Sequence, residues 1–189
     1  MRIASILENQ NIEKRIAITP EIAKKYIALG FEISLIENYG QHLGFKDSDF
    51  KELGVKISND ESEILKNADI IIQLGLLSDE NLSSLKEKQT LVGVFNPYNN
   101  KEKIESLSKK NINLFSLEML PRITRAQSMD ILSSQANLAG YKTVIESFAN
   151  FEKAIPMMMT AAGTIPAAKV LVVGAGCLLY TSPSPRDAH

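Results

Sequence analysis

The sequence predicts an α/β fold made of a doubly wound parallel sheet domain, a long connecting helix and the first strand of a truncated second domain. Three observations support this prediction. Short apolar runs alternate with helical segments as far as residue 118. A much longer helical segment follows them, and an apolar run then leads into Gly174 and Gly176 near the end of the chain.

The predicted strands of the first domain are short apolar runs. In chain order they are RIASILE, FEISLIE, DIIIQLG, TLVGVFN and INLFSLE. The run DIIIQLG lacks polar alternation, which is typical of a strand buried on both faces of a parallel sheet. The helical segments between the runs then act as right-handed crossovers.

The helix in AITPEIAKKYIALG has the clearest end signals. Thr19 can cap it, Pro20 occupies its first position, Glu21 favours its positive end, and Gly30 terminates it. A variable segment follows the second strand and contains a short helix begun by Asp47 or Asp49. The remaining predicted helices are DESEILKNA, SDENLSSLKEKQ and NKEKIESLSKK.

The long helix is predicted to begin at Ser128 or in the loop before it and to end at about Asn150. It carries an apolar stripe and a neighbouring stripe of small residues, so we expect it to be packed on two sides. The apolar stripe is Ile131, Leu138, Tyr141, Ile145 and Phe148, and the small one is Ser133, Ala136, Ala139 and Gly140.

These elements define the predicted domain boundaries. The N-terminal α/β domain covers residues 1–125, the connecting helix 126–150 and a linker 151–168. Residues 169–176 form the first strand, Lys169 to Val173, and the turn of the second domain. Residues 177–189 form a foreign or disordered tail.

Composition excludes several classes of protein. The chain has 189 residues, of which 44% are apolar, and a formal net charge of -1. It therefore lacks the basic excess that draws nucleic acid. The sequence also has neither an apolar stretch long enough to span a bilayer nor a signal-peptide pattern. Its single cysteine is Cys177, and neither His42 nor His189 has metal-ligand neighbours, so we expect no metal site.

The loop PRITRAQSMD concentrates polar groups that could hold a ligand. Arg122, Arg125, Gln127, Ser128 and Asp130 lie close together, and Ser133 follows one helical turn later. A guanidinium held by a carboxylate, beside an amide that both donates and accepts, suits a neutral amide or a phosphate. A structural alternative remains open, in which Arg122 and Asp130 form an ion pair and Ser128 caps the helix.

The run VLVVGAG is typical of the turn that opens a Rossmann-type domain. Gly174 and Gly176 would let backbone amides approach a pyrophosphate at the start of the next helix. Only two of the three small positions of that motif are present, so an ordinary strand-to-loop pair of glycines is the alternative.

Three stretches carry a resemblance to a known family: EKRIAITPEIAKKYIALGFEISLIENYG, MLPRITRAQSMDILSSQANLAGYKTVIE and PMMMTAAGTIPAAKVLVVGAG. From Met1 to Gly176 the chain resembles the NAD(H)-binding alpha subunits of proton-translocating NAD(P) transhydrogenase, in the broader family shared with alanine dehydrogenase. The resemblance implies that Arg122, Gln127, Asp130 and Ser133 hold the nicotinamide end of NAD(H), with Arg125 beside them. It also implies that Gly174 and Gly176 form the pyrophosphate turn.

The resemblance further implies a hydride-transfer function. NADH on this subunit would reduce NADP⁺ held by a partner, the NADP(H)-binding and membrane subunit, with coupled proton translocation. We therefore expect a homodimer that is cytoplasmic and peripheral at the inner face of the cell membrane. Transfer between two nicotinamide rings needs no general base, so we expect no catalytic side chain.

Two alternatives stay open from the sequence. Alanine dehydrogenase uses a lysine and a histidine for proton transfer, but Asn67 to Leu85 contains no lysine and GVFNPYNN has asparagine and proline instead of histidine. Arg15 matches that enzyme's carboxylate-binding arginine, and we interpret it here as mainly structural. The other alternative is a non-catalytic α/β interaction module.

The family pattern ends abruptly at Cys177. The residues CLLYTSPSPRD resemble a translated sequencing adapter, so we interpret Cys177 to His189 as foreign sequence after a truncated reading frame. The acidic residue expected to bind the adenosine ribose would then be absent. We expect this chain alone to bind NAD(H) weakly and to be inactive.

Overall fold

A computed structural model describes residues 1–174 and 176 of the chain. The chain divides into two compact units, the first over Met1–Pro121 and the second beginning at Arg122. Ala175, which belongs to the predicted turn, and the predicted tail, Cys177 to His189, lie outside the described residues.

The first unit is a parallel sheet flanked by helices. The strands are β1 (Arg2–Ser5), β2 (Glu32–Ile36), β3 (Lys56–Ser58), β4 (Ile70–Ile72), β5 (Thr90–Gly93) and β6 (Asn113–Ser116). The helices are α1 (Pro20–Ala28), α2 (Asp47–Lys51), α3 (Glu61–Asn67), α4 (Asp79–Ser84) and α5 (Lys101–Lys109), with short 3₁₀ helices at Gln41–Leu43 and Leu117–Met119.

The strand order is β3-β2-β1-β4-β5-β6, and every pairing is parallel. This order confirms the predicted doubly wound α/β fold. The direction of winding reverses between β1 and β4, where Ile3 pairs with Ile70 and Ala4 with Ile71. Ligands of such sheets bind in the crevice beyond the carboxyl ends of the two strands at this switch point.

Local signals placed α1 correctly. The hydroxyl oxygen of Thr19 accepts a hydrogen bond from the backbone N–H of Ile22 at 3.4 Å, and Pro20 is the first helical residue. Gly30 has a φ of 87°, in the left-handed region that favours glycine, and therefore ends the helix. The start of α2 at Asp47 is also as predicted.

Strand β3 was not predicted. Its first two residues, Lys56 and Ile57, end the variable segment that follows the second predicted strand, and Ser58 belongs to no predicted element. The strand lies at the edge of the sheet and pairs only with β2, and none of its side chains is buried. A strand this short and exposed has no apolar pattern to reveal it.

The core of the first unit lies on both faces of the sheet. Fully buried large side chains include Ile33, Leu35, Ile71 and Leu91 from the central strands. The ring of Phe50 from α2 meets the Tyr39 ring edge-on, with centroids 6.2 Å apart. Burial of this apolar area is the main stabilising contribution to the unit.

The second unit contains one long helix and a hairpin. A 3₁₀ helix spans Thr124–Met129, α6 spans Ile131–Ala149, and β7 (Met158–Thr160) pairs antiparallel with β8 (Gly163–Ile165). The predicted helix start at Ser128 is wrong, because residues up to Met129 belong to the 3₁₀ helix and Asp130 is the cap. No helix in the described residues is long and apolar enough to cross a bilayer.

The expected packing of α6 on two sides is not observed. Within the described part of the chain Leu138 is 62% exposed and Tyr141 is 50% exposed, and Gly140 is the buried residue of the helix. The apolar stripe predicted from the sequence exists, but the described residues do not supply a surface that covers it.

Two further differences concern the residues after α6. The predicted linker contains the β7–β8 hairpin, whose two-residue turn is Ala161-Ala162 and whose Thr160 hydroxyl donates to the Gly163 carbonyl at 2.9 Å. The predicted strand at Lys169–Val173 is not formed. No described residue pairs with it, and an apolar run becomes a strand only when a neighbouring strand completes its hydrogen-bond ladder.

Candidate functional site

The predicted ligand loop leads into the positive end of α6. Arg122 precedes the 3₁₀ helix, Arg125 and Gln127 lie on it, and all three side chains are exposed. In the described residues the Arg125 and Gln127 side chains make no hydrogen bond or ion pair. Their guanidinium and amide groups therefore form no contact of this kind that would stabilise the described fold.

Asp130 and Ser133 are the two predicted site residues that contact each other. One Asp130 carboxylate oxygen accepts from the Ser133 backbone N–H at 3.0 Å, and the other accepts from the Ser133 hydroxyl at 2.7 Å. These bonds lower the pKa of Asp130, and the more distant charge of Arg122 lowers it further. Asp130 is thus the N-cap of α6 and stays ionised at neutral pH.

This geometry corrects the structural alternative for the loop. Ser128 does not cap the helix, because Asp130 accepts the capping hydrogen bonds. Nor do the ion pairs of the described residues include one between Arg122 and Asp130, although the two charges attract each other at longer range. The loop therefore presents a fixed carboxylate beside three exposed hydrogen-bonding side chains.

The two glycines of the predicted pyrophosphate turn lie in irregular, exposed chain. Gly174 has a φ of 122°, a backbone conformation that residues other than glycine rarely adopt. A Cβ atom at Gly176 would meet no atom of the described residues within 4 Å. No hydrogen bond within the described chain joins either glycine to the loop around Arg122.

The first unit contains a crevice that the sequence analysis missed. It lies beyond the carboxyl ends of β1 and β4 and has a volume of about 690 Å³. The loop after β1 contributes Glu8, the end of β4 contributes Gln73 and Gly75, and residues at or before α4 and α5 include Asn81 and Asn100. The crevice is therefore at the switch point, where doubly wound sheets bind ligands.

A buried chain of hydrogen bonds supports the floor of this crevice. The Tyr39 hydroxyl accepts from the backbone N–H groups of Ala17 and Ile18 at 3.0 and 3.2 Å. It lies 2.8 Å from the Ser5 hydroxyl, which donates to the Gln73 side-chain oxygen at 2.8 Å. With the Ser5 proton used on Gln73, Tyr39 must donate to Ser5, so the direction of every bond is determined.

Glu8 ties the loop after β1 to the loop after β4. One of its carboxylate oxygens accepts from the backbone N–H of Leu74 at 2.5 Å and from that of Gly75 at 3.3 Å. Burial raises the pKa of Glu8, the two backbone bonds oppose that rise, and the nearby negative charge of Glu13 adds to it. Ionised Glu8 is therefore held at some cost to stability.

Replacing Glu8 with glutamine is expected to remove a contribution that makes the chain less stable as the pH rises. A carboxyl whose pKa is raised on folding contributes most below its unfolded pKa of 4.5, and that contribution is lost as the pH rises through the folded pKa. Glutamine keeps an oxygen for the Leu74 and Gly75 N–H groups but carries no charge. Urea unfolding between about pH 4 and pH 7 should show the variant gaining stability relative to the parent as the pH rises.

The matched control is Glu21→Gln, for which the opposite trend is expected. The pKa of Glu21 is lowered by its hydrogen bond and charge interaction with Lys25. This contribution is present above 4.5 and lost as the pH falls, so Glu21→Gln should lose stability relative to the parent as the pH rises. The same trend in both variants would contradict the assigned role of Glu8.

Two cations are paired with carboxylates at the crevice: Lys103 lines it, and Arg15 contacts the lining residue Glu13. The guanidinium of Arg15 forms two bonds with the carboxylate of Glu13, at 2.8 and 2.6 Å. Lys103 Nζ lies 2.6 Å from a carboxylate oxygen of Asp79. The interpretation of Arg15 as mainly structural is consistent with this bidentate pair.

Comparison with known proteins identifies related sequences. Residues 6–139 match the model of the N-terminal domain of the alanine dehydrogenase/PNT family. The chain is 44% identical over 180 residues to the first part of the NAD(P) transhydrogenase alpha subunit of Rickettsia prowazekii, a match that covers 93% of this chain and 47% of that protein. The alanine dehydrogenase of Halomonas elongata is 24% identical over 180 residues, 93% of this chain and 48% of that enzyme.

A solved structure has the same architecture. The transhydrogenase from Sinorhizobium meliloti superposes with a TM-score of 0.85 at 38% sequence identity, over 93% of this chain and 53% of that one. The chain thus spans about half the length of the relatives that it matches.

Proposed function

Because the chain belongs to the alanine dehydrogenase/PNT family, we propose that it is the N-terminal part of the NAD(H)-binding alpha subunit of an NAD(P) transhydrogenase. The observation that carries this choice within the family is the degree of identity. It is 44% to the transhydrogenase subunit of Rickettsia prowazekii and 24% to the alanine dehydrogenase of Halomonas elongata, over the same share of the chain.

The loop around Arg122 would hold the nicotinamide end of NAD(H). Arg125 and Gln127 are exposed, and no side-chain bond within the described residues occupies them. Asp130 and Ser133 hold the start of α6 in a fixed conformation through two hydrogen bonds. A neutral carboxamide needs both a donor and an acceptor, and the Gln127 side chain offers both.

Gly174 and Gly176 would form the pyrophosphate turn of the second domain. The positive φ of Gly174 supports this role, because a backbone turn of this kind lets amide N–H groups approach a phosphate without a side chain in between.

The chemistry of hydride transfer belongs to the cofactor, and the protein supplies binding and orientation. We propose that NADH on this subunit passes its hydride directly to NADP⁺ on a partner subunit and that the partner couples the step to proton translocation. In this scheme the subunit would dimerise and lie at the inner face of the cell membrane through its partners. The loop contributes the ionised Asp130, and its sequence PRITRAQSMD contains no histidine, lysine or cysteine, which suits a transfer that needs no general base.

The alanine dehydrogenase alternative is disfavoured by the crevice of the first unit. Binding a substrate carboxylate requires an available cation, but Arg15 is committed to Glu13 and Lys103 to Asp79. The β4 end carries Gly75, and the residues from Asn67 to Leu85 include no lysine to act in proton transfer.

The proposal predicts that Gln127→Asn slows hydride transfer much more than it weakens NADH binding. The experiment joins residues 1–176 to the remaining part of the Rickettsia prowazekii subunit and combines this hybrid with that organism's partner subunits. Shortening the side chain by one methylene shifts the amide away from the ring, so the rate should fall about 100-fold while the NADH Kd changes little. NADH fluorescence gives the Kd, and reduction of an NADP⁺ analogue gives the rate.

The matched control is Gln41→Asn, the same change at an exposed position of the first unit. The unextended 189-residue chain is titrated beside the hybrid, and only the hybrid should bind NADH tightly. Equal loss of binding and rate in Gln127→Asn, or loss of neither, would contradict the role of Gln127. Absence of NADH binding by both proteins would instead favour a non-catalytic interaction module.

A further inference from the structure

The crevice between the ends of β1 and β4 holds two polar groups that the proposed function does not use. One is the NH₂ group of Gln73, and the other is the second carboxylate oxygen of Glu8, Oε2. Both residues line the crevice, and both belong to the first unit. Their chemistry indicates what kind of molecule the crevice accepts.

The amide of Gln73 is held in one orientation by its neighbours. The residue is 3% exposed, and its side-chain oxygen accepts from the Ser5 hydroxyl at 2.8 Å and from the Ile6 backbone N–H at 3.0 Å. Rotating the amide would place two N–H groups against each other at Ile6, so the NH₂ group must lie on the other side. That NH₂ group has no hydrogen-bond partner in the described chain. The nitrogen is not fully enclosed, so this donor faces the open space of the crevice and is available to a ligand.

Glu8 provides an acceptor in the same crevice. Its first oxygen is committed to the Leu74 and Gly75 N–H groups, whereas Oε2 accepts no hydrogen bond from the described residues. A Cβ atom at Gly75 would lie 3.3 Å from Oε2. Glycine at this position therefore leaves the face of the carboxylate open.

The charges around the crevice oppose an anionic ligand. The lining residues Lys103 and Glu13 are each paired with an opposite charge, Asp79 and Arg15. The carboxyl groups of Glu8 and Glu61 form no ion pair within the described residues, so the unpaired charge is negative. An anionic ligand that entered the crevice would lose its hydration and would be repelled by these carboxylates. The ligand is therefore uncharged or cationic.

Two of the lining amides, Asn81 and Asn100, offer their oxygens to the crevice. The NH₂ group of Asn81 donates to Glu61 at 2.9 Å, and that of Asn100 donates to the Phe95 carbonyl at 2.8 Å. Their amide oxygens remain, because they accept no hydrogen bond within the described residues. Several acceptors beside the NH₂ donor of Gln73 favour hydroxyl groups, each of which donates and accepts at once.

We propose that this crevice binds a small uncharged polyol, whose hydroxyl groups donate to Glu8 Oε2 and accept from the NH₂ group of Gln73. The inference goes beyond the NAD(H)-binding role and stands on different residues. A free sugar and the ribose of a nucleoside share this chemistry, and both are the size of molecule that a crevice of about 690 Å³ admits.

The test is saturation-transfer NMR of the 189-residue chain with D-ribose, adenosine and pyruvate. D-ribose is expected to bind and pyruvate is not. Gln73→Glu keeps an oxygen for the Ser5 hydroxyl and the Ile6 N–H but replaces the NH₂ donor, so its affinity for D-ribose should fall at least about tenfold. The matched control, Gln41→Glu, makes the same charge change at an exposed position and should bind as the parent does.

A second variant guards against misfolding of Gln73→Glu. Gly75→Ala places its Cβ against Glu8 Oε2 without a positive φ, and it should also weaken D-ribose binding. Binding of adenosine without D-ribose would support the proposal and identify a nucleoside as the source of the hydroxyls. Absence of binding by both, preference for pyruvate, or parent-like affinity in a folded Gln73→Glu or Gly75→Ala variant would overturn it.

Discussion

Replacing Tyr39 with phenylalanine is expected to lower the free energy of unfolding by about 3 kcal/mol, although the change removes a single oxygen. The Tyr39 side chain is 1% exposed, and its hydroxyl accepts from the Ala17 and Ile18 N–H groups. It also donates to the Ser5 hydroxyl, which in turn donates to the side-chain oxygen of Gln73. Phenylalanine would leave two backbone donors and a buried Ser5 oxygen without their partner.

Burial raises the pKa of the Tyr39 hydroxyl, while its hydrogen bonds with Ser5, Ile18 and Ala17 oppose the rise. The proton that Tyr39 donates to Ser5 is therefore retained throughout the neutral range. The phenol thus acts as a neutral donor and acceptor inside the core, where unsatisfied groups are most costly.

Urea unfolding measures the effect, with Tyr98→Phe as the matched control. Tyr98 is 81% exposed, so loss of its hydroxyl should change stability by less than about 0.5 kcal/mol. A Tyr39→Phe midpoint equal to that of the control would mean that water or a shifted backbone satisfies the Ala17 and Ile18 donors.

Local sequence signals predicted the elements whose cause is local. Helix α1 carries its cap, its first-position proline and its terminating glycine within a few residues, and all three act as expected. Strand β3 has no such signals, because its pairing with β2 depends on the sheet and its own side chains are only partly buried. The strand order likewise follows from packing rather than from any single segment.

The end of the described chain shows the opposite error. Lys169–Val173 has the composition of a buried strand but no strand structure. Propensity for β structure expresses how a segment fits a pleated, half-buried surface, and the described residues provide no such surface for this segment. The preceding segment forms the β7–β8 hairpin because each of its strands finds the other.

The two candidate sites differ in the same way. The loop around Arg122 was recognisable because its polar residues are close in sequence. The structure was needed for the identity of the cap, Asp130 rather than Ser128, and for the pairing of its charges. The crevice was not recognisable, because its residues Ser5, Tyr39 and Gln73 are far apart in the sequence. The sheet order alone brings them together. A polar residue after each of two buried strands was the signal available, and it becomes specific only once β1 and β4 are known to be neighbours.

Gly93→Ala is the substitution with the other large expected effect on stability. An alanine Cβ at this position would overlap the backbone oxygen of Gln73 and lie 2.6 Å from the ring of Phe95. The first contact is with the neighbouring strand, which pairs to β5 through the bond from the Gln73 N–H to the Val92 carbonyl at 3.0 Å. The Gln73 oxygen belongs to the backbone and the Phe95 ring is fully buried, so neither can move aside and the strands must separate. We expect a loss of about 3 kcal/mol or more.

The matched control is Gly176→Ala, where the added Cβ meets no atom of the described residues within 4 Å and φ lies outside the left-handed region that favours glycine. Urea unfolding followed by circular dichroism compares the two variants, and the control should retain the midpoint of the parent. The displaced backbone belongs to Gln73, which lines the crevice. Gly93→Ala should therefore also weaken the binding of any crevice ligand under conditions where the variant is still folded. A parent-like midpoint would show that β4 and β5 can separate at Gly93 without cost, so the close approach of these strands could not be what requires a glycine.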